Sequence, residues 1–78
     1  MEECTAALNS LTYAIKAERA LTELGYSVRI VKPYTSRPHR GCEYGIAFDC
    51  RYQGEIKQHL RMAGIAVKRF QKGGGEPL

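Results

Sequence analysis

A chain of 78 residues is long enough for one domain and too short for two. Its hydrophobic content of 44% separates it from disordered tails, and no apolar run approaches the ~20 residues that a membrane-spanning helix needs. The formal charge of +4 favours anionic partners such as phosphates, oxyanions and acidic protein faces, although it also serves solubility alone.

After Met1-Glu2-Glu3, the segment Cys4-Thr5-Ala6-Ala7-Leu8 reads as a first strand. Alternation places Cys4, Ala6 and Leu8 on its core side, with Cys4 acting as a small hydrophobe. The N-terminus lacks a basic stretch followed by an apolar one, so no secretory signal and a cytoplasmic location are expected. Asn9 and Ser10 suit a helix N-cap. Leu11 to Leu24 follows with a period near 3.6, which gathers Leu11, Ala14, Ile15, Ala17, Leu21 and Leu24 on one face. Gly25 stands where a left-handed cap belongs.

Tyr26 to Lys32 reads as a second strand, with Val28 and Ile30 on one face and Arg29 and Val31 on the other. The mixed second face predicts a sheet covered by helices on one side only. Pro33 stops that strand because it cannot donate to a ladder. A third strand spans Tyr44 to Cys50, with Tyr44, Ile46, Phe48 and Cys50 facing the core. A second helix begins at Gln53 or Gly54, buries Ile56, Leu60 and Ala63, and is capped by Gly64. His59 lies beside that stripe and reads as an edge-of-core or surface side chain. Ala66 to Phe70 is the fourth strand.

The segment Leu21 to Arg29 is echoed by Leu60 to Lys68: helix end, glycine cap, then a strand with valine before a basic residue. Two strand-helix-strand halves predict an α+β fold of the ferredoxin-like split βαβ type, in the order βαββαβ. Its form is a four-stranded antiparallel sheet with two helices on one face. Residues 1–72 form the expected single domain, and 73–78, with its glycines and proline, an expected flexible tail.

Between the two halves runs Tyr34-Thr35-Ser36-Arg37-Pro38-His39-Arg40-Gly41-Cys42-Glu43, with no acidic residue from Leu24 to Cys42. An ordinary cysteine has a pKa near ~8.5, and nearby positive charge favours its thiolate. Arg37, His39 and Arg40 supply that charge within loop reach of Cys42, and an exposed thiolate is a nucleophile toward electrophilic sulfur or selenium, carbonyls and disulfides. A buried, inert thiol at a strand start, beside a solvated basic loop, fits the same spacing.

The chain has three cysteines, Cys4, Cys42 and Cys50. An odd, low number without a secretion signal argues against a disulfide framework and for reduced thiols. On one extended strand Cys42 and Cys50 would lie ~25 Å apart, so a bond between them needs the loop to fold back, and Cys50 reads as structural. No C-x-x-C occurs, and His39 and His59 lack a paired-ligand spacing; a zinc site improvised from Cys42, Cys50 and a histidine ranks low, so no metal and no cofactor is expected.

The run Tyr13-Ala14-Ile15-Lys16-Ala17-Glu18 with Leu21 and Gly25, then Val28 to Val31, Pro33, Arg37 and Cys42, resembles the putative selenium/sulfur carrier protein-like family of small bacterial domains. The resemblance extends from Thr5 to about Phe70. In that family the loop cysteine is typically followed by glycine; here Glu43 follows Cys42 and Gly41 precedes it. The resemblance implies a carrier rather than a turnover enzyme, with a chalcogen held on Cys42 as a persulfide-type adduct and passed between a protein donor and a protein acceptor. Arg37 and Arg40 would stabilise its anion and His39 would assist proton movement. The alternative is a non-catalytic module that binds an acidic protein through the open sheet face, with Arg29, Val31 and Lys68 or Arg69. Nucleic acid ranks lower, because the outer face of the third strand (Gly45, Ala47, Asp49) lacks stacking aromatics. A homodimer closed along a sheet edge stays open.

Overall fold

The structure is a computed structural model that describes residues 2–33, 44–73 and 75–77. Its elements follow in the order β1 (Glu3–Leu8), α1 (Leu11–Glu23), β2 (Arg29–Pro33), β3 (Tyr44–Asp49), a 3-10 turn (Cys50–Tyr52), α2 (Gln53–Met62), β4 (Arg69–Lys72) and β5 (Gly75–Pro77). Neighbouring strands pair antiparallel in the order β4-β1-β3-β2-β5. The first four strands and two helices are the expected α+β, ferredoxin-like βαββαβ arrangement, with β1 and β3 at its centre.

One side of the sheet carries the core. Cys4, Ala6 and Leu8 of β1 and Ile46 and Phe48 of β3 meet Ala14, Ala17 and Leu21 of α1, Ile56 and Leu60 of α2, and Ile65. The alternation in both central strands therefore reads out as anticipated. In α1 the buried stripe is narrower than the apolar face in the sequence: Leu11, Ile15 and Leu24 stay exposed. Two alanines in the contact line let the helix sit close to the sheet, so only side chains directly beneath it are covered. Ser10 caps α1 by accepting from the Tyr13 N–H at 3.3 Å.

The internal echo has a physical basis in the two helix ends. Gly25 (φ 95°) donates to the Thr22 carbonyl at 3.0 Å, and Tyr26 donates back to Leu21 at 3.0 Å. Gly64 (φ 76°) donates to Arg61 at 3.0 Å, and Ile65 to Leu60 at 2.9 Å. Both ends are the same left-handed cap, which glycine adopts at no steric cost. After each cap the chain must pass from the helix layer to the sheet. That descent consumes residues 26–28 in one half and 65–68 in the other, so β2 and β4 start three residues later than their apolar patterns suggested.

Two features correct the sequence expectations. The segment 73–78, expected as a tail, contains β5, which pairs Gly75 with Pro33, Glu76 with Lys32 and Pro77 with Val31. Among the described residues it adds a fifth, edge strand to the expected four-stranded βαββαβ sheet. Gly73, at φ 90°, lets the chain turn after β4. The second correction concerns the sheet face away from the helices. It was expected open, yet Thr5, Ala7, Val31 and Ala47 are all buried there. The Thr5 hydroxyl donates to the Gly73 carbonyl at 2.7 Å, and Arg29 spans β3 to hold both carboxylate oxygens of Glu3. Ala47, the register partner of Arg29 on β3, is buried on this face.

Candidate functional site

The expected site residues Arg37, His39, Arg40 and Cys42 lie outside the described residues, within 34–43. The structure describes the frame from which they hang. Residues 34–43 connect β2 to β3, two antiparallel neighbours near the sheet centre. Tyr44, the first residue of β3, pairs with Leu8, the last of β1. Two residues after Leu8 the chain caps α1 at Ser10. The N-terminal end of α1 therefore stands at the same end of the sheet as the start of β3. Its first turn contains no acidic residue, so no carboxylate within that turn offsets the partial positive charge of the helix end.

At the opposite end the structure joins two cysteines. Cys4 of β1 and Cys50, the residue after β3, form a disulfide with their Cα atoms 5.0 Å apart. This corrects the expectation of reduced thiols and no disulfide. It also removes Cys50 from any zinc site shared with Cys42. The physical reason is register. Cys4 pairs directly with Phe48 and Cys50 follows two residues later on the same face, so the two side chains are diagonal neighbours across adjacent antiparallel strands. A signal for this was present, since both cysteines fall on the core parity of their strands. What the sequence could not supply was the one-residue register between β1 and β3. Among the described residues no group of three or more His, Cys, Asp or Glu side chains is placed to hold a metal ion.

Beside the disulfide lies a cleft of about 710 Å³, walled by Tyr26, Val28, Phe48 and Tyr52 with two ion pairs at its rim. One pair is Arg29 with Glu3. The other is Arg51 with Asp49, 3.1 Å apart, where the Asp49 carboxylate also caps the 3-10 turn by accepting from the Arg51 N–H at 3.0 Å. The backbone N–H of Arg51, then its side chain, holds the Asp49 carboxyl below the usual aspartate range. Asp49 in turn raises the Arg51 guanidinium. Tyr26 donates to the Glu55 carboxylate at 2.6 Å, and this bond pushes its phenol above the ordinary tyrosine value. The Tyr26 ring meets Tyr52 edge-on at 5.7 Å and His59 at 5.6 Å, so His59 closes an aromatic cluster at the surface, in line with its sequence reading.

The face proposed for the binding-module alternative is altered by these contacts. Val31 is fully buried, and Arg29 is committed to Glu3. Among the described residues, no helix is long and apolar enough to cross a membrane.

No curated protein and no solved structure matches the chain. A family model does match, over residues 3–72, a span that runs from the first residue of β1 to the last of β4 and leaves out β5. With its whole βαββαβ unit inside that match, the chain belongs to the Putative Se/S carrier protein-like family.

Proposed function

We propose that the protein is a thiol-based carrier, which receives sulfur or selenium on Cys42 from a protein donor and yields it to a protein acceptor. The observation that carries this reading is the Cys4–Cys50 bond. With three cysteines in the chain and two of them joined, Cys42 is left with no intrachain partner. An unpaired thiol beside basic residues is the natural seat for a transferable chalcogen. Family membership points to the same cargo.

In this reading the Cys42 thiolate attacks the terminal sulfur of a donor persulfide. The donor's S–S bond breaks, the donor leaves as a thiolate, and Cys42 carries the sulfur as its own persulfide. Attack by an acceptor nucleophile on that outer sulfur returns Cys42 as a thiolate, so the protein is unchanged over the cycle. A selenium adduct follows the same two displacements. Arg37 and Arg40 offset the anionic charge, and His39 moves a proton when the adduct is released. Cys42 is two residues from Tyr44, so chain connectivity keeps it within ~7 Å of that residue, at the end of the sheet where α1 begins. The helix N-terminus at that end, with no acidic residue in its first turn, favours an anion. Glu43 opposes it, and the balance sets the thiol pKa.

Incubation with a cysteine desulfurase and free cysteine, followed by intact mass, tests the reading. The wild type gains the mass of one sulfur atom and Cys42→Ser gains none. Sulfur uptake that persists in Cys42→Ser overturns it.

A further inference from the structure

We propose that Cys4 and Cys50 form an exchange-competent redox couple, opened and closed by a dithiol of a partner protein, with Cys50 as the sulfur that the partner attacks. The inference does not depend on the role of Cys42. Its first support is asymmetry. Cys4 is 2% exposed and belongs to the core, whereas Cys50 is only partly buried, at the point where the chain leaves β3. An attacking thiolate needs access to one sulfur, and of the two residues Cys50 is the less buried.

The second support is the helical run that Cys50 opens. The 3-10 turn Cys50–Tyr52 passes straight into α2, so Cys50 lies where the chain leaves the sheet for the helix layer. The nearest opposing charge, Asp49, is matched by Arg51.

The third support is redundancy. β1 and β3 already share six residue pairs, from Glu3 with Asp49 to Leu8 with Tyr44, and the Cys50 N–H donates to the Glu2 carbonyl at 3.1 Å. Both sulfurs therefore remain neighbours when the bond opens, and nothing else has to move. The cleft nearby is lined by Glu3, Asp49 and Arg51, which flank the two cysteines in sequence.

The step balances as ordinary exchange. A partner thiolate attacks the Cys50 sulfur, the Cys4–Cys50 bond breaks, and Cys4 leaves with the electron pair and takes up a proton. The partner's second thiol then attacks its own sulfur in the mixed disulfide, and Cys50 leaves as a thiolate. Two electrons have passed from the partner, which ends as a disulfide; the reverse sequence oxidises a partner dithiol.

The test uses the full chain carrying Cys42→Ser, so that only this couple titrates. The protein is equilibrated without denaturant across ratios of reduced to oxidised dithiothreitol, free thiols are alkylated, and the products are weighed. A reversible transition with two alkyl groups gained together, and an unchanged far-UV spectrum, is the expected result. A bond that stays closed until denaturant is added overturns the proposal, as does loss of the folded spectrum on opening. Adding Cys4→Ser or Cys50→Ser to that background identifies the attacked sulfur. Cys50 alone should react with an aromatic disulfide about tenfold faster than Cys4 alone, and equal rates refute the assignment. If either of these double variants does not fold, the titration decides whether the couple opens, and peptide mapping of the mixed disulfide trapped on the Cys42→Ser protein with a monothiol decides which sulfur is attacked, a Cys4 adduct refuting the assignment.

Discussion

Reducing the Cys4–Cys50 bond perturbs stability without changing a single side-chain volume. The bond joins residues 46 apart in sequence. In the chain-entropy model, closing a loop of that length in the unfolded ensemble contributes about 4 kcal/mol at 25 °C. The six β1–β3 pairs do not diminish this, because they exist in the folded state and the entropy is removed from the unfolded one. For a domain of this size each kcal/mol moves the melting temperature by roughly 4–8 °C, so reduction should lower it by about 16–30 °C. The assay is thermal unfolding followed by far-UV circular dichroism on the Cys42→Ser protein, with and without reductant, which prevents cross-linking between molecules. A shift below about 4 °C, equivalent to 1 kcal/mol, would refute the loop-entropy reasoning and indicate an unfolded chain already compact around these strands.

Three further outcomes follow from the packing and the charges. Gly25→Ala and Gly64→Ala each force a residue with a Cβ into left-handed backbone and should each cost about 1 kcal/mol in urea unfolding. No atom crowds either position, so the two losses should be alike, and a large difference would separate the two caps. Leu21→Ala removes a fully buried side chain from the centre of the α1 contact and should cost about 2–5 kcal/mol by the same measurement; a loss under 1 kcal/mol would mean the helix does not pack there. The Asp49 pKa is depressed in the folded state, so its contribution is complete above the unfolded aspartate value near pH ~4 and is lost as pH falls through the lower folded value. Asp49→Asn should therefore flatten the acid limb of stability below pH ~4 and leave its neutral-to-alkaline shape unchanged.

Much of the fold was legible because its signals are local. The alternation of Cys4, Ala6 and Leu8 and of Ile46 and Phe48, and the caps at Gly25 and Gly64, each report on a few neighbouring residues and appear where the pattern put them, while the α1 stripe narrows to Ala14, Ala17 and Leu21. What escaped depends on distant parts of the chain. Pairing of Gly75–Pro77 with β2 rests on contacts more than forty residues apart, and a glycine-rich segment carries no apolar period to announce it. Burial of Val31 escaped for a similar reason, since alternation assigns faces but says nothing of how each face is covered. The disulfide was hidden by register, and by an odd cysteine count that argued against any pair. The proposed carrier residues Arg37, His39, Arg40 and Cys42 are a different case: they rest on residue chemistry and family membership, with Tyr44, Leu8 and the start of α1 defining the end of the sheet to which they are tied.

Stability and exchange at Cys4–Cys50 are two readings of one free energy. If the bond stabilises the fold by about 4 kcal/mol, then by a thermodynamic cycle the fold stabilises the bond by the same amount. At about 1.4 kcal/mol per tenfold, folding raises the effective concentration of one thiol at the other by nearly a factor of ~10³ over the unfolded chain. A couple held that tightly resists a monothiol and yields to a dithiol, which is why the proposed partner carries two thiols. A domain of this length has a total stability of roughly 4–12 kcal/mol, so the reduced form retains a folded majority over most of that range. The redox titration of the folded and the denaturant-unfolded Cys42→Ser protein gives the factor directly, and the melting shift on reduction gives it independently. Agreement within a factor of about three is expected from two-state linkage. By the same cycle, strain on the bond in the folded state would lower the redox factor and the melting shift together, so both falling well below these values would sink the loop-entropy account, whereas a mismatch between them would mean that unfolding is not two-state.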